Sequence, residues 1–269
     1  MEELKMPLTE HLGELRKRIT ISLAALLITF IVAFNFSEDI FRAFMFPIKY
    51  SLDFSVKGMY MHFIPQDKLQ NTKLVFLAPA EAFWMNLKVS FFAGLLLALP
   101  VIFHQLWKFI SPGLLPKERK YVLPFIFSTT ALFLAGASFC FFIVLPFAIG
   151  FLLTYKVGDF LMPMLSVGQY VDFCLKFILA FGAIFELPIL IVFLTKMGIV
   201  TPQGLSRNRK YAILVAFIAA GILTPTPDAF NQTLMAVPIM VLYEIGIWFS
   251  YLFARKKPQA PEKDIVEAG

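Results

Sequence analysis

FILAFGAIFELPILIVFL, residues Phe177 to Leu194, decides the fold. The run contains a single ionisable side chain, Glu186, and the nearest others are Lys176 and Lys196. With its flanks, Val171 to Thr195, it meets the requirement of about 20 apolar residues for a membrane-spanning helix. A carboxyl in the middle of such a helix costs a few kcal/mol on insertion scales. Two readings of Glu186 follow. It serves a functional site, the default for an intramembrane acid, or it is a hydrogen-bonded structural acid that joins helices.

Five further apolar runs extend outward from this one: Ile19 to Phe36, Leu87 to Trp107, Val122 to Leu153, Ala212 to Leu223 and Gln232 to Ala254. Hydrophobic residues make up 59% of the 269 and charged ones 16%, with a mean hydropathy of +0.75. These values exclude an ordinary soluble domain. They predict an all-α integral membrane protein of six transmembrane helices. Ala212 to Leu223 offers only about 18 Å of helix against a hydrocarbon core of about 30 Å, so the bilayer thins around it or the turn Thr224 to Asn231 enters the membrane under protein cover. Pro100, Pro124, Pro146, Pro188 and Pro238 fall inside runs, where each removes a backbone donor, and a curved bundle is expected.

Lysine and arginine set the orientation. Residues 1–18, 108–120, 196–210 and the tail from Arg255 carry four each, sixteen in alternate connections, against seven on the other side. By the positive-inside rule both termini are cytoplasmic. The pI of 9.2 is then mostly a consequence of topology, with no nucleic acid needed, and the cytoplasmic lysines and arginines also favour anionic lipid. Residues 1–256 read as one membrane domain and 257–269, rich in Pro, Glu and Lys, as a disordered cytoplasmic tail. The connection from Ser37 to Ala82 reads as a periplasmic cap. No small-residue cleavage site follows the first run, and no transit peptide precedes it, which favours a bacterial inner membrane.

No catalytic, metal-binding or cofactor constellation is present. His11, His62 and His104 lie in separate segments, and His104 reads as a buried hydrogen-bonding residue. Cys140 and Cys174 read as small buried hydrophobes. The remaining chemistry is a set of acids at helix ends. Glu14 precedes the first span, where pairing with Lys17 or Arg18 is the plain structural account; Glu118 sits beside Arg119, where a solvated loop charge is the plain account.

The ordered motifs resemble the TatC family of twin-arginine translocase proteins. They are His11-Leu12-x-Glu14-Leu15-Arg16-x-Arg18, then Pro47, then Trp107-x-Phe109-Ile110-x-Pro112-Gly113-Leu114 with Glu118-Arg119. Ala180-Phe181-Gly182-x-x-Phe185-Glu186-x-Pro188 follows, with Arg207 to Tyr211, Leu223-Thr224-Pro225 leading to Asp228, Gln232-Thr233 and Glu244-Ile245-Gly246. The resemblance runs from Pro7 to about Ala254. The long first connection, the extra Thr-Pro step before Asp228, and Lys120 in place of a frequent arginine depart from the common pattern.

The resemblance implies a glove-like bundle that acts as receptor and core of a pathway carrying folded proteins across the membrane on the proton motive force. It implies that Glu14 and Glu118 receive the paired arginines of a signal peptide, with Arg16, Phe109 and Pro112 shaping that surface. A guanidinium fork fits a carboxylate bidentately, which suits two acids to two arginines. It also implies that Glu186 faces a concave intramembrane pocket and docks partner helices, that Pro47, Asp228 and Gln232 serve assembly on the opposite side, and that the partners are the single-span TatA and TatB in an oligomeric complex. A proton-coupled secondary transporter using Glu186 is the rival reading, but inverted repeats with matching broken helices are missing. A passive membrane scaffold would leave the two cytoplasmic acids unexplained.

Overall fold

Prolines set where the long apolar helices break. The computed structural model describes residues 8–55, 60–65, 74–111, 122–154, 165–224 and 228–253. Helix α1 spans Leu8–Phe34, followed by the short α2 (Ser37–Phe44) and α3 (Phe46–Lys49). After a hairpin come α4 (Glu81–Ile110), α5 (Val122–Phe139), a π-helical turn Cys140–Val144 and α6 (Leu145–Thr154). The rest is α7 (Val167–Phe185), α8 (Leu187–Lys196), α9 (Pro202–Arg207), α10 (Arg209–Leu223) and α11 (Ala229–Phe253).

Two breaks have a local cause. Pro146 cannot donate to the fourth residue back, and its ring crowds that carbonyl; the π turn directly before it shifts the register so that the helix continues through the proline. Likewise Pro188 is the second residue of α8, and the chain turns at Glu186, whose N–H donates to Ala183 O at 3.1 Å, three residues back. The intramembrane acid therefore sits at a kink.

Among the described residues, five helical units are long and apolar enough to cross a membrane: Glu10–Phe34, Glu81–Ile110, Leu123–Leu153, Val167–Lys196 and Ala229–Phe253. The sixth predicted span is α10, 15 residues or about 22 Å, longer by its first turn than the apolar run but still short of a bilayer core. Leu123–Leu153, at 31 residues, exceeds the core and must tilt or project.

Lipid is as apolar as leucine, so these helices associate by close packing and hydrogen bonds rather than by escape from water. Fully buried Phe177 and Phe181 place α7 at the centre. A Cβ on Gly136 would lie 2.6 Å from Phe181 O, which brings the α5 and α7 backbones into contact. Thr195 Oγ1 and Ser250 Oγ, both buried, share a hydrogen bond of 2.7 Å between α8 and α11. Helix α1 is peripheral: only 6% of its apolar window is buried, and it leans on α4 through Gly94.

The hairpin is the one pair of strands among the described residues. β1 (Tyr50–Ser55) pairs antiparallel with β2 (Tyr60–Pro65), from Tyr50↔Pro65 to Ser55↔Tyr60. Its signal lies in the sequence, where apolar residues 50, 52 and 54 alternate with polar 51, 53 and 55. His104 also differs from expectation: it is exposed on α4, because the buried positions of that last turn go to Gln105 and Trp107.

Candidate functional site

Contacts gather the basic segments at one end of the bundle. Trp107 near the end of α4 stacks on Phe125 at the start of α5 (4.9 Å) and meets Phe193 of α8 edge-on. Lys196 Nζ lies over Phe125 and over Phe253, the last residue of α11. The start of α1 docks on the same end of α4, where His11 stacks on Phe109 with centroids 4.5 Å apart.

Glu14 sits one turn along from that stack. Its Oε1 accepts from Arg18 Nη2 at 2.8 Å, and Arg18 Nη1 donates to Gln105 Oε1 of α4 at 3.3 Å. Both charged side chains are largely enclosed, 15% exposed for Arg18 and 21% for Glu14. Of the two candidate partners of Glu14, the structure selects Arg18. Phe109 is half-buried and Arg16 exposed. Glu14 and Phe109 thus share the α1–α4 junction through Arg18–Gln105 and His11, Arg16 is on the same helix with no polar contact to either among the described residues, and Glu118 and Pro112 lie outside the described residues. Gln105 and His11 were not expected at the site. His11 lies in the same motif as Glu14, whereas Gln105 stands 87 residues from Arg18 and carries no local signal.

At the opposite end Glu81 joins two connections. Its Oε2 accepts from Leu77 N (2.6 Å) and Ala78 N (3.4 Å), and its Oε1 accepts from Gly168 N (2.7 Å) and from Ser166 Oγ. Val75 and Ser166 form a parallel bridge alongside. Pro47 is fully buried, and nearby Tyr170 Oη donates to Phe44 O at 2.5 Å. Asp228 stands at the N-cap of α11: Oδ1 accepts from Asn231 N at 2.7 Å and Oδ2 from Asn231 Nδ2 at 2.9 Å. Gln232 Nε2 donates to Phe217 O at 3.0 Å, tying α11 to α10. Pro47, Asp228 and Gln232 therefore share an end of the molecule, and each has a structural task there.

Glu186 lies between these ends. Its Oε1 is enclosed without a hydrogen-bond partner among the described residues, and the residue is half-buried overall. Two cavities flank it. One, about 280 Å³, includes Pro188, Val192 and Lys196 in its wall; the other, about 650 Å³, is an open apolar groove walled by Ile184 and Leu187 and by α10 and α11, and the bidentate Arg209–Glu244 pair (2.7 and 2.9 Å) lies in its wall. Glu186 lines neither. A second pair, Lys88–Asp172 at 2.7 Å, links α4 to α7.

The family model described as "TatC: Sec-independent protein translocase protein (TatC)" matches residues 10–238. A Sec-independent protein translocase protein TatC of Desulforapulum autotrophicum is 39% identical over 262 residues, covering 97% of this chain and 90% of that one. The counterpart in Aquifex aeolicus is 40% identical over 255 residues, covering 94% and 98%. A crystal structure described as "Twin Arginine Translocase Receptor- TatC" superposes with a TM-score of 0.75 at 38% identity, covering 91% of this chain and 100% of that one. With the helix order and the end-to-end segregation of charge, these likenesses select a translocase component over a carrier or an enzyme. The chain is a multi-pass membrane protein of the TatC family of Sec-independent protein translocases.

Proposed function

We propose that the chain is the receptor and core component of a twin-arginine translocase in a bacterial inner membrane, with both termini cytoplasmic. It binds the paired arginines of signal peptides on folded cargo through Glu14 and Glu118. Arg16, Phe109 and Pro112 shape that surface, and TatA and TatB assemble around it. The proton motive force drives transport. Glu186 docks a polar group on a partner helix after recognition, and Pro47, Asp228 and Gln232 support assembly at the far end.

One observation carries the reading: the junction of α1 with α4 sets an acid, Glu14, beside an aromatic surface, Phe109 stacked on His11, at the basic end of the bundle. A signal peptide has matching parts, arginines for the acids and apolar residues for the ring. The test is peptide affinity of the full chain in nanodiscs. Glu14→Lys and Glu118→Lys should each weaken twin-arginine binding while insertion is retained, because each reversal sets a repelling charge where an arginine docks. Unchanged affinity in both variants refutes the proposal.

A further inference from the structure

The acid read as a receptor for substrate arginine is already in contact with an arginine. Arg18 Nη2 donates to Glu14 Oε1 at 2.8 Å, from a side chain only 15% exposed. A second acceptor is within its reach, Gln105 Oε1 at 3.3 Å. The resting site therefore consists of a carboxylate, an internal guanidinium and a neutral amide on which that guanidinium can stay if the carboxylate is taken.

We propose that Arg18 is an internal stand-in for a substrate arginine, which an incoming signal peptide must displace from Glu14 onto Gln105. The inference rests on the receptor reading above and adds to it a residue that sets the affinity threshold. Its logic is competition between like groups. A hydrogen bond between ionised partners is about twice as strong as a neutral one. Arg18 holds Glu14 through one such bond, Nη2 to Oε1. Any incoming cation must break that bond, so Arg18 lowers the affinity of every basic peptide by the same factor. An arginine, whose planar fork can engage both carboxylate oxygens, recovers more than it displaces, whereas a lysine brings a point charge. Arg18 thus sets the threshold that a signal peptide must exceed.

Gln105 keeps the exchange reversible. On displacement Arg18 surrenders one hydrogen bond and retains another, so its charge is never left in a largely enclosed position without an acceptor. The amide is neutral, so it holds Arg18 without competing for it as a second carboxylate would. Gln105 is itself buried, at 8% exposure, which fixes the acceptor in place.

The experiment measures affinities of a twin-arginine and a twin-lysine signal peptide for the full chain in nanodiscs. The variants are Glu14→Gln, Arg18→Gln, Arg18→Lys, Gln105→Leu and the double variant Arg18→Gln/Gln105→Leu. Arg18→Gln should tighten both peptides about tenfold, the equivalent of one charge-assisted hydrogen bond, and leave their ratio unchanged. Arg18→Lys should fall between. Gln105→Leu should weaken the twin-arginine peptide in the wild-type background and have no effect once Arg18 is glutamine, a coupling that a purely structural role for Gln105 does not produce. If Glu14→Gln weakens the twin-arginine peptide but Arg18→Gln leaves both affinities unchanged or loosens them, the stand-in inference is overturned and the receptor reading stands. If Glu14→Gln has no effect on either peptide, the place of Glu14 in the receptor reading falls and this inference falls with it.

Discussion

Gly94→Ala tests whether receptor geometry is set by packing deep in the membrane. A Cβ at this position would lie 2.7 Å from Phe30 Cα, 2.8 Å from Phe30 N and 3.1 Å from Thr29 C. All three are backbone atoms of α1, so no rotamer change relieves the clash and α1 must withdraw by about 1 Å to restore normal van der Waals separation. Overpacking of this kind costs about 1–3 kcal/mol. The same shift stretches the Thr29 Oγ1 to Gly94 O hydrogen bond, now 2.8 Å. Helix α1 is held almost wholly by α4, with 6% of its window buried, so a shift against α4 is not resisted from another side. Phe109 lies about 22 Å further along α4, fifteen residues at 1.5 Å each. If α1 withdraws as a rigid rod, the Arg18–Gln105 bond at 3.3 Å stretches past the hydrogen-bond range, the His11–Phe109 stack opens, and Glu14 moves off its mark. Twin-arginine peptide affinity in nanodiscs should fall about tenfold, the counterpart of 1.4 kcal/mol, with a lowered unfolding temperature. Wild-type affinity together with a wild-type unfolding temperature refutes the argument. Lowered stability with wild-type affinity shows that the α1 tip is positioned independently of its middle.

Glu186→Ala should keep peptide binding but reduce cargo export and crosslinking to single-span partners. Glu186→Gln should be milder, since the amide still hydrogen-bonds at the roughly 1–2 kcal/mol such contacts carry between membrane helices; normal export in Glu186→Ala makes the residue structural. A cysteine at Gln203 should be reached by impermeant reagent only from the cytoplasmic side and one at Glu38 only from the other, and the reverse pattern overturns the orientation drawn from the lysine and arginine distribution. Asp228→Ala should lower stability by about 1 kcal/mol through loss of the α11 cap, with Asp228→Asn close to wild type, as measured by thermal unfolding in detergent. Equal losses in both would mean that charge rather than capping matters there.

Much of the fold was legible because the bilayer demands it. Apolar length marked the spans, Pro188 and Pro146 marked the breaks, and the grouping of basic residues agrees with the contacts that gather α1, α4, α8 and α11 at one end. The hairpin was not expected, because each strand is only six residues long and its period of two is set in a polar connection between far longer apolar runs. Pairings between distant segments were not legible. Lys88 and Asp172 stand 84 residues apart and Arg209 and Glu244 35 apart; nothing in either local pattern names the other, since which helix faces meet depends on packing that a single run does not encode.

The site was legible in its residue types and not in its resting state. Glu14 could be nominated, but spacing offered Lys17 and Arg18 equally, and the choice is made by α4: Gln105 draws the Arg18 side chain to one face of α1, which places the guanidinium against Glu14 as well. The same end keeps two enclosed donors without partners among the described residues, Arg18 Nε and Trp107 Nε1. Enclosed polar atoms of this kind cost about 1–3 kcal/mol each. A rigid structural ion pair gains nothing from such a cost. A pair that must open for a peptide and close behind it does, because incomplete satisfaction lowers the barrier to leaving the resting arrangement. The physics that makes Glu14 and Arg18 look like an ordinary i, i+4 pair in the sequence thus becomes, once Gln105 is added, that of a contact built to be exchanged.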